Sequence, residues 1–362
     1  METVKRKVDF GVFSNTTKML KTLCFLAVIL HVTTSRLIFT KPDKRVIIDV
    51  DGGIDDYQAL TILINADNQL MIKIEAIICT DGNTELKNVE NNVLRLLQAA
   101  DRTDIPVYSG SYEQILPHKE EMPKWYGEDG FADLKYKREP NRYLLKKELA
   151  QVAVYNIISR NPGKVSLIVL GPQTNSALGF RIYQKYGEYL KDMHIMGGNF
   201  GEDEVEFNFL FDPEAADIVL TTTKCPITMF TWQACAKANF TFGTLFNITG
   251  ISNPVWNLME KAERKLFKDN KESIDSQWFA CDPVTAAVYL YPEETILSSS
   301  QHSLQVKLSE PNRGLTVDDD SRTEKQIKVI EKVDWKFFMT GFIESFKKIC
   351  TNRICVDQGV IS

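Results

Sequence analysis

The chain is poor in cysteine and histidine, with seven and four among 362 residues. It contains no Cys-x-x-Cys and no His-x-x-x-His pair, which excludes a disulfide-dense scaffold and a zinc site of the usual spacing. Positive charge is not in excess either, because the formal net charge is −5 and the basic residues form no stripe. A surface for nucleic acid or for an anionic membrane is therefore not indicated.

Long apolar runs and internal repeats are also absent. The apolar run at 23–32 is about half of the roughly 20 residues that cross a bilayer. No segment recurs at a period of roughly 20 to 50 residues, which excludes solenoids and propellers. With 44% hydrophobic and 25% charged residues, the composition is that of a globular protein. A small neutral ligand or a cation fits this composition better than a polyanion.

The amino terminus has the pattern of a secretory signal. Basic residues precede the apolar run and small residues at 33–35 follow it. We therefore predict a signal peptide at 1–35, with Met19 as a second candidate start, and a secreted protein. An uncleaved signal-anchor and a spurious N-terminal extension are the alternatives.

Secretion makes two further predictions, glycosylation and a disulfide. The sequons at Asn239 and Asn247 are expected to carry glycans. Cys350 and Cys355 are the expected disulfide pair, in a C-terminal tail at 350–362 that we otherwise expect to be poorly ordered.

Between the signal and the tail, at 41–349, strand and helix patterns alternate in one domain. Short β-branched runs predict strands at 46–50, 72–79, 165–170, 193–196 and 227–230, and helical spacing recurs at 85–100, 144–160 and 176–190. This alternation predicts an α/β fold, an open, mostly parallel Rossmann-like sheet with helices on both faces. Ligands of such sheets bind beyond the carboxyl ends of the strands.

Polar residues follow these strands where each one ends. The first strand runs into Asp49, Asp51, Asp55 and Asp56, and the next is followed by Asn83. Later strands run into Gln173-Thr-Asn175 and Gly197-Gly-Asn199, and Asp282 stands before Pro283 as the expected N-cap of a further helix.

Four carboxylates within eight residues repel one another unless a cation lies among them. A hard cation with oxygen ligands is the simplest answer, and no Cys or His is near enough for a softer metal. Each aspartate taken singly is better explained as a helix cap or a solvent-facing residue. The four together favour a metal or catalytic site.

The segment Asp49-Val-Asp-Gly-Gly-Ile-Asp-Asp56 resembles the amino-terminal signature of the inosine-uridine preferring nucleoside hydrolases. Further matches follow in chain order over about 45–345: Gly82-Asn83, Gly127-Glu-Asp-Gly-Phe131, Leu170-Gly-Pro-Gln-Thr-Asn175, Met196-Gly-Gly198, Glu206-Phe-Asn208, Asp212-Pro-Glu-Ala215, Asp282-Pro283 and Arg313-Gly-Leu-Thr-Val317. The ordered series implies a calcium-dependent ribonucleoside hydrolase that releases free base and ribose, commonly as a homo-oligomer of two or four subunits.

The resemblance also implies residue roles. The implied calcium ligands are Asp51, Asp56, the backbone carbonyl of Thr174, and Asp282. Asp51 would also be the general base that takes a proton from the water attacking C1′ of the ribose. The implied ribose-binding residues are Asp55, Asn83, Met196, Glu206 and Asn208. Their carboxylates would stabilise an oxocarbenium-like transition state.

The chain departs from the family pattern around the leaving base. Cys281 and Tyr126 stand where many members have His, and a thiol is a poor proton donor, so we expect Cys281 to be a buried apolar filler. Tyr126, Trp125 and Trp278 are the candidates for contact with the leaving base, and the aromatic residues suggest purine over pyrimidine ribonucleosides. Gly52 also replaces a Pro.

The segment after Met196 is about four residues shorter than in the family, and a ribose-contacting Asn has no counterpart. Asn199 or the stretch 201–204 would have to compensate for it. This departure supports the main alternative, a secreted nucleoside-binding protein of the same fold with weak or no turnover.

Two further interpretations of the aspartate segment have less support. Asp49-Val-Asp-Gly-Gly53 resembles the nucleophile motif of haloacid-dehalogenase-type phosphatases. That family also needs a downstream Lys and a Gly-Asp-x-x-x-Asp metal motif, whereas here Ile54-Asp-Asp56 follows at once. A calcium loop of the EF-hand type needs a Glu at its twelfth position, and this segment has none there.

Overall fold

The computed structural model describes residue 42 and the ranges 44–117, 122–199, 204–319, 321, 327–351 and 353–361. The predicted signal peptide at 1–35 lies outside the described residues.

The strands follow the short apolar runs of the sequence. In chain order they are β1 Lys44–Val50, β2 Ile72–Cys79, β3 Val107–Ser109, β4 Leu145–Lys146, β5 Val165–Val169, β6 Leu190–Met196, β7 Ile227–Phe230, β8 Ile296–His302, β9 Leu304–Val306, β10 Thr316–Asp318 and β11 Ile327–Val333.

Helices occupy most of the connections between these strands. They are α1 Ile54–Asn68, α2 Leu86–Ala99, α3 Ala150–Arg160, α4 Thr174–Ile182, α5 Tyr186–Tyr189, α6 Phe207–Phe211, α7 Pro213–Thr222, α8 Trp232–Ala236, α9 Phe242–Phe246, α10 Pro254–Asp269, α11 Cys281–Leu290, α12 Pro292–Thr295 and α13 Trp335–Lys348, with a 3₁₀ turn at Arg142–Leu144.

The main sheet has nine strands in the order β4-β3-β2-β1-β5-β6-β7-β11-β8. All neighbours run parallel except β11 and β8, and β9 and β10 form a separate antiparallel pair. Chain order runs outward from β1 to β4 on one side and from β5 to β7 on the other, where β11 and then the edge strand β8 follow. The carboxyl ends of β1 and β5 therefore flank the topological switch point, where open α/β sheets bind ligands.

The prediction of a mostly parallel α/β sheet is confirmed. Two of the predicted strands, β2 and β7, have the predicted bounds, and the others differ by one to three residues at an end. The helix predicted at 144–160 begins only at Ala150, because Leu145 and Lys146 pair with β3. The helix predicted at 176–190 is interrupted between Ile182 and Tyr186.

Two apolar cores lie on the two faces of the sheet. One packs α1, α2, α10, α11 and α13 over β1 and β2, and the other packs α3, α4 and α7 over β5 and β6. Strands covered on both faces are buried along their whole length, and the last five residues of β1 are fully buried.

Asn175, the second residue of α4, joins the ends of three strands. Its amide nitrogen donates to Oδ1 of Asp49 at 2.9 Å and to the carbonyl of Cys79 at 3.1 Å. Its oxygen accepts from the backbone of Ser111 and from Nε2 of Gln151, both at 2.8 Å. All four hydrogen-bonding positions of a buried amide are thereby satisfied.

The described part of the C-terminal tail contacts the rest of the domain. Cys350 and Cys355 form the predicted disulfide, and the backbone of Val356 donates to the carbonyl of Ala99. Residues 359–361 then form backbone hydrogen bonds with 135–137. The polar sequence of the tail does not indicate these contacts. Within the described ranges, no helix is both long and apolar enough to span a membrane.

Candidate functional site

The loop after β1 carries Asp51 into a close-packed position. Gly52 adopts φ +82°, a left-handed conformation that Pro cannot adopt, so the exchange for the family's Pro changes the local backbone. A Cβ added at Gly82 or Gly171 would come within 2.3 Å or 2.7 Å of the Asp51 side chain. The glycines that follow β2 and β5 therefore make room for this carboxylate.

Asn83 fixes the orientation of Asp51. Its backbone N–H donates to Oδ2 of Asp51 at 2.9 Å, and its side-chain amide donates to Oδ1 at 3.0 Å. Both oxygens of a 1% exposed carboxylate are thus held by one residue from the end of β2.

Asp55 and Asp56 lie in the first turn of α1. Asp56 accepts hydrogen bonds from the backbone of Gly53 at 2.8 Å and of Asp51 at 3.3 Å, and Asp55 accepts one from the backbone of Asp56 at 3.2 Å. The two residues therefore stabilise the start of the helix, as the simpler interpretation holds. Capping does not explain why a third carboxylate lies beside them.

That third carboxylate belongs to Asp282 in α11. One oxygen from each of Asp55, Asp56 and Asp282 lies within 4.8 Å of the other two. The helix begins at Cys281 with Ala280 as its N-cap, so the prediction that Asp282 caps the helix was wrong. Because it lies inside the first turn, its carboxylate is available to the cluster.

The acidic cluster, defined as Asp51, Asp55, Asp56 and Asp282, has the character of a cation site. Burial raises the pKa of Asp55 to about 7, with repulsion from Asp51 adding to the shift. Burial and then the neighbouring carboxylates raise the pKa of Asp56 and Asp282 well above the ordinary range. Among the described residues no basic side chain contributes to these shifts. Oxygen ligands in this number fit a hard divalent cation, which would relieve the repulsion.

Glu206 and Asn208 come from the start of α6. Glu206 accepts backbone hydrogen bonds from Gly198, Asn208 and Phe209 at 2.9 to 3.1 Å. Burial raises its pKa to about 7 against the effect of these bonds. The Asn208 amide donates to the carbonyls of Leu170 at 2.8 Å and Met196 at 3.2 Å, which links α6 to the ends of β5 and β6.

Thr174, a predicted calcium ligand, is buried at the start of α4. Its hydroxyl donates to Oδ2 of Asp212 at 2.8 Å, and the other oxygen of Asp212 caps α7 at Ala215. Asn199 is also buried, with its amide donating to the carbonyl of Glu204 at 2.7 Å. Residues 201–203, most of the stretch that would have to compensate for the shortened segment, lie outside the described residues.

The three aromatic candidates differ in position. Burial and then the charge of Asp55 raise the pKa of Tyr126, and a Cβ added at Gly53 would lie 2.8 Å from the Tyr126 ring. Trp125 is 62% exposed. Trp278 is buried, packs edge-on against Phe342, and donates its indole N–H to Glu263 at 3.2 Å. Among the described residues, Tyr126 is the one of the three aromatic candidates whose pKa is affected by members of the acidic cluster, Asp55 and Asp282.

The expectation for Cys281 was wrong. It forms a disulfide with Cys235 of α8, so it is neither an apolar filler nor a free thiol. The even number of cysteines after the predicted signal peptide allowed this pair, but spacing in the sequence could not identify it.

The sequence interpretation also missed two buried polar residues near the site. For Asn175 the sequence indicates no more than a helix cap. Glu263 lies among charged residues of α10, and nothing in the local sequence separates it from Glu260, the other glutamate of that helix. Burial at 4% exposure and hydrogen bonds from Gln58 and Trp278 distinguish it in the structure.

Comparison with known proteins agrees with this geometry. The family model of the inosine-uridine preferring nucleoside hydrolases matches residues 46–340. The chain is 24% identical over 317 residues to the inosine-uridine preferring nucleoside hydrolase of Crithidia fasciculata, covering 84% of this chain and 98% of that protein. It is 33% identical over 184 residues to probable uridine nucleosidase 1 of Oryza sativa subsp. japonica, covering 49% of this chain. That match spans only 55% of the rice protein.

Solved structures share the fold. A plant nucleoside hydrolase superposes with a TM-score of 0.75 at 23% identity, covering 84% of this chain and 99% of that one. An inosine-guanosine nucleoside hydrolase gives 0.73 at 26% identity, covering 84% and 98%. The fold and site thus define an α/β protein of the nucleoside hydrolase type. The chain belongs to the family of inosine-uridine preferring nucleoside hydrolases.

Proposed function

We propose that this protein hydrolyses the N-glycosidic bond of ribonucleosides in a calcium-dependent reaction that releases free base and ribose. The observation that carries the proposal is the buried acidic cluster at the switch point, beside Asn83, Glu206 and Asn208. Carboxylates buried together without basic partners lower the stability of the folded protein. A cation site that serves a reaction explains why they are grouped here.

Calcium would be held by Asp51, Asp56, the carbonyl of Thr174, and Asp282. The close grouping of Asp55, Asp56 and Asp282 supports a hard cation, and it also brings Asp55 near the metal. When bound, the ion supplies Lewis-acid activation of the attacking water and neutralises part of the carboxylate charge.

Asp51 is the proposed general base, taking a proton from the water that attacks C1′ of the ribose. Burial raises the pKa of Asp51, and two hydrogen bonds from Asn83 oppose that shift and hold its carboxylate in one orientation. Asp55, Asn83, Met196, Glu206 and Asn208 would bind the ribose. Ionised carboxylates of this set stabilise the positive charge that develops on the sugar in the transition state.

Tyr126 is the proposed proton donor to the leaving base. Its hydroxyl already lies against Asp55, whereas Cys281 has no proton to give in its disulfide. Tyr126→Phe should lower turnover of natural ribonucleosides by roughly 10²-fold. It should spare 4-nitrophenyl riboside, whose leaving group needs no proton. An equal loss on both substrates would refute the role.

The test of the proposed function is chromatographic. The mature protein is incubated with calcium and inosine, guanosine, adenosine, uridine or cytidine, and free base and ribose are measured. Wild type and a surface control, Asp275→Asn, should release base, and Asp51→Asn should not. Chelation should stop the reaction. Nucleoside binding without release of base would instead support the nucleoside-binding alternative, and base release by Asp51→Asn would refute the assignment of the general base.

We further propose that the protein is secreted as a glycoprotein and forms a homo-oligomer. Two disulfides support an oxidising compartment, and Asn239 and Asn247 are both exposed. Enzymatic deglycosylation should increase the gel mobility of the secreted protein, and light scattering should give a mass of two or four chains.

A further inference from the structure

A disulfide lies directly beside the acidic cluster. Cys235, in α8 after β7, is bonded to Cys281, the first residue of α11. Both residues are buried, with 0% and 5% exposure. Asp282 is the next residue along the chain. The covalent link therefore ends one residue away from a member of the cluster.

The other carboxylates of the site are oriented by hydrogen bonds. Asn83 donates two to Asp51, the loop backbone donates two to Asp56, and three backbone N–H groups hold Glu206. Asp282 differs from them. In the described part of the chain no hydrogen bond to its carboxylate is found, and helix capping does not use it.

Repulsion also acts on Asp282, which approaches the cluster from a distant part of the chain. Asp55, Asp56 and Asp51 all oppose its negative charge. Its place among them depends on the packing of α11 against α1 and on the segment 277–281 that leads into α11.

The segment is held on α8 and the residues after it. Nε2 of Gln277 donates to the carbonyls of Ala236 at 2.9 Å and Ala238 at 2.7 Å, and the backbone of Trp278 donates to Phe240 at 2.9 Å. These bonds lie four or five residues before Asp282. The disulfide is the connection nearest to it and the only covalent one within this segment.

We propose that the Cys235–Cys281 disulfide is a positioning element of the metal site, which keeps Asp282 in the acidic cluster against carboxylate repulsion and so raises the affinity for calcium. This inference rests on the proposed function, because it assumes that calcium is the cation bound there. A disulfide that only stabilised the fold would raise the unfolding temperature and leave calcium affinity unchanged.

The second disulfide provides a matched control. Cys350 and Cys355 close a short loop at the end of α13. Removing it also deletes one covalent link, but it leaves the segment before Asp282 intact. Any effect on calcium affinity that is specific to the first pair therefore comes from its position.

The test compares three forms of the mature protein: wild type, Cys235→Ala/Cys281→Ala, and Cys350→Ala/Cys355→Ala. Calcium dissociation constants are measured by calorimetry on the calcium-free proteins, with calcium chloride as the probe. We expect a rise of about tenfold for the first pair, which is the lower end of the effect of removing a group that supports metal ligands. We expect no change in the dissociation constant for the control pair.

A folded Cys235→Ala/Cys281→Ala variant with the wild-type dissociation constant would overturn the proposal. If that variant does not fold, wild type reduced by a phosphine replaces it. Phosphine and water yield the phosphine oxide and two thiols, so each disulfide receives two electrons. The half-buried Cys350–Cys355 bond should open first and leave calcium affinity unchanged. Unchanged affinity after both bonds open would equally overturn the inference. Wild type that binds no calcium would overturn this proposal together with the calcium site on which it rests.

Discussion

The buried carboxylate of Glu263 makes the stability of the protein depend on pH. Burial raises its pKa to about 7 even though Trp278 and Gln58 donate hydrogen bonds to it. The unfolded chain releases this proton near the ordinary value of 4.5. Between these two values the folded protein binds more protons than the unfolded chain. Stability is therefore lost as the pH rises through this window.

Glu263→Gln isolates this effect. Both hydrogen bonds are accepted by the same oxygen, Oε1, and a glutamine keeps that acceptor. The variant has no proton to lose, so its stability should fall less with rising pH than that of wild type. From the shift of the pKa, the difference between the two proteins should change by roughly 2 to 3 kcal/mol between pH 5 and pH 8.

The measurement is denaturant unfolding of both proteins over this pH range, with chelator present so that cation binding does not contribute. Glu260→Gln is the control, because Glu260 lies one turn earlier on α10 and pairs with Arg264 near the surface. Its profile should parallel that of wild type. If the profiles of Glu263→Gln and wild type also run parallel, the argument from burial is refuted.

Two further substitutions test the buried polar contacts of the fold. Asn175→Asp removes both amide donors and places a second carboxylate against Asp49, so denaturant unfolding should show a loss of roughly 2 to 4 kcal/mol. A loss no larger than that of the exposed control Asn257→Asp would contradict this account. Arg102→Ala leaves Asp67, 2.7 Å from the guanidinium, buried without its partner. We expect it to cost roughly 3 to 5 kcal/mol, and near-neutral behaviour in the same assay would show that water reaches Asp67.

The strands and the aspartate loop could be predicted from the sequence because their signals are local. Apolar runs bounded by polar residues mark β2 and β7 to the residue. The acidic motif after β1 is dense enough to indicate a cation site without any knowledge of the fold. Asn83 follows the same logic because it stands near a predicted strand end, whereas Glu206 was indicated only by the family resemblance.

The contacts that the sequence could not predict join distant parts of the chain. Nothing local relates Cys235 to Cys281, whose segments meet through long-range contacts such as the hydrogen bonds of Gln277 to Ala236 and Ala238. Glu263 lies among charged residues of α10, and its burial depends on packing against α1.

The two edges of the main sheet differ from its centre in a way that matters for a protein at high concentration. The edge strand β4 has only two residues, and β8, at the other edge, is largely Ser and Gln. A short or polar edge offers little to a strand of another molecule. The apolar strands that could template aggregation, β1 and β5, lie at the centre, where both neighbours occupy their hydrogen bonds. The strand order that creates the ligand-binding crevice thus also protects the chain from edge-to-edge association.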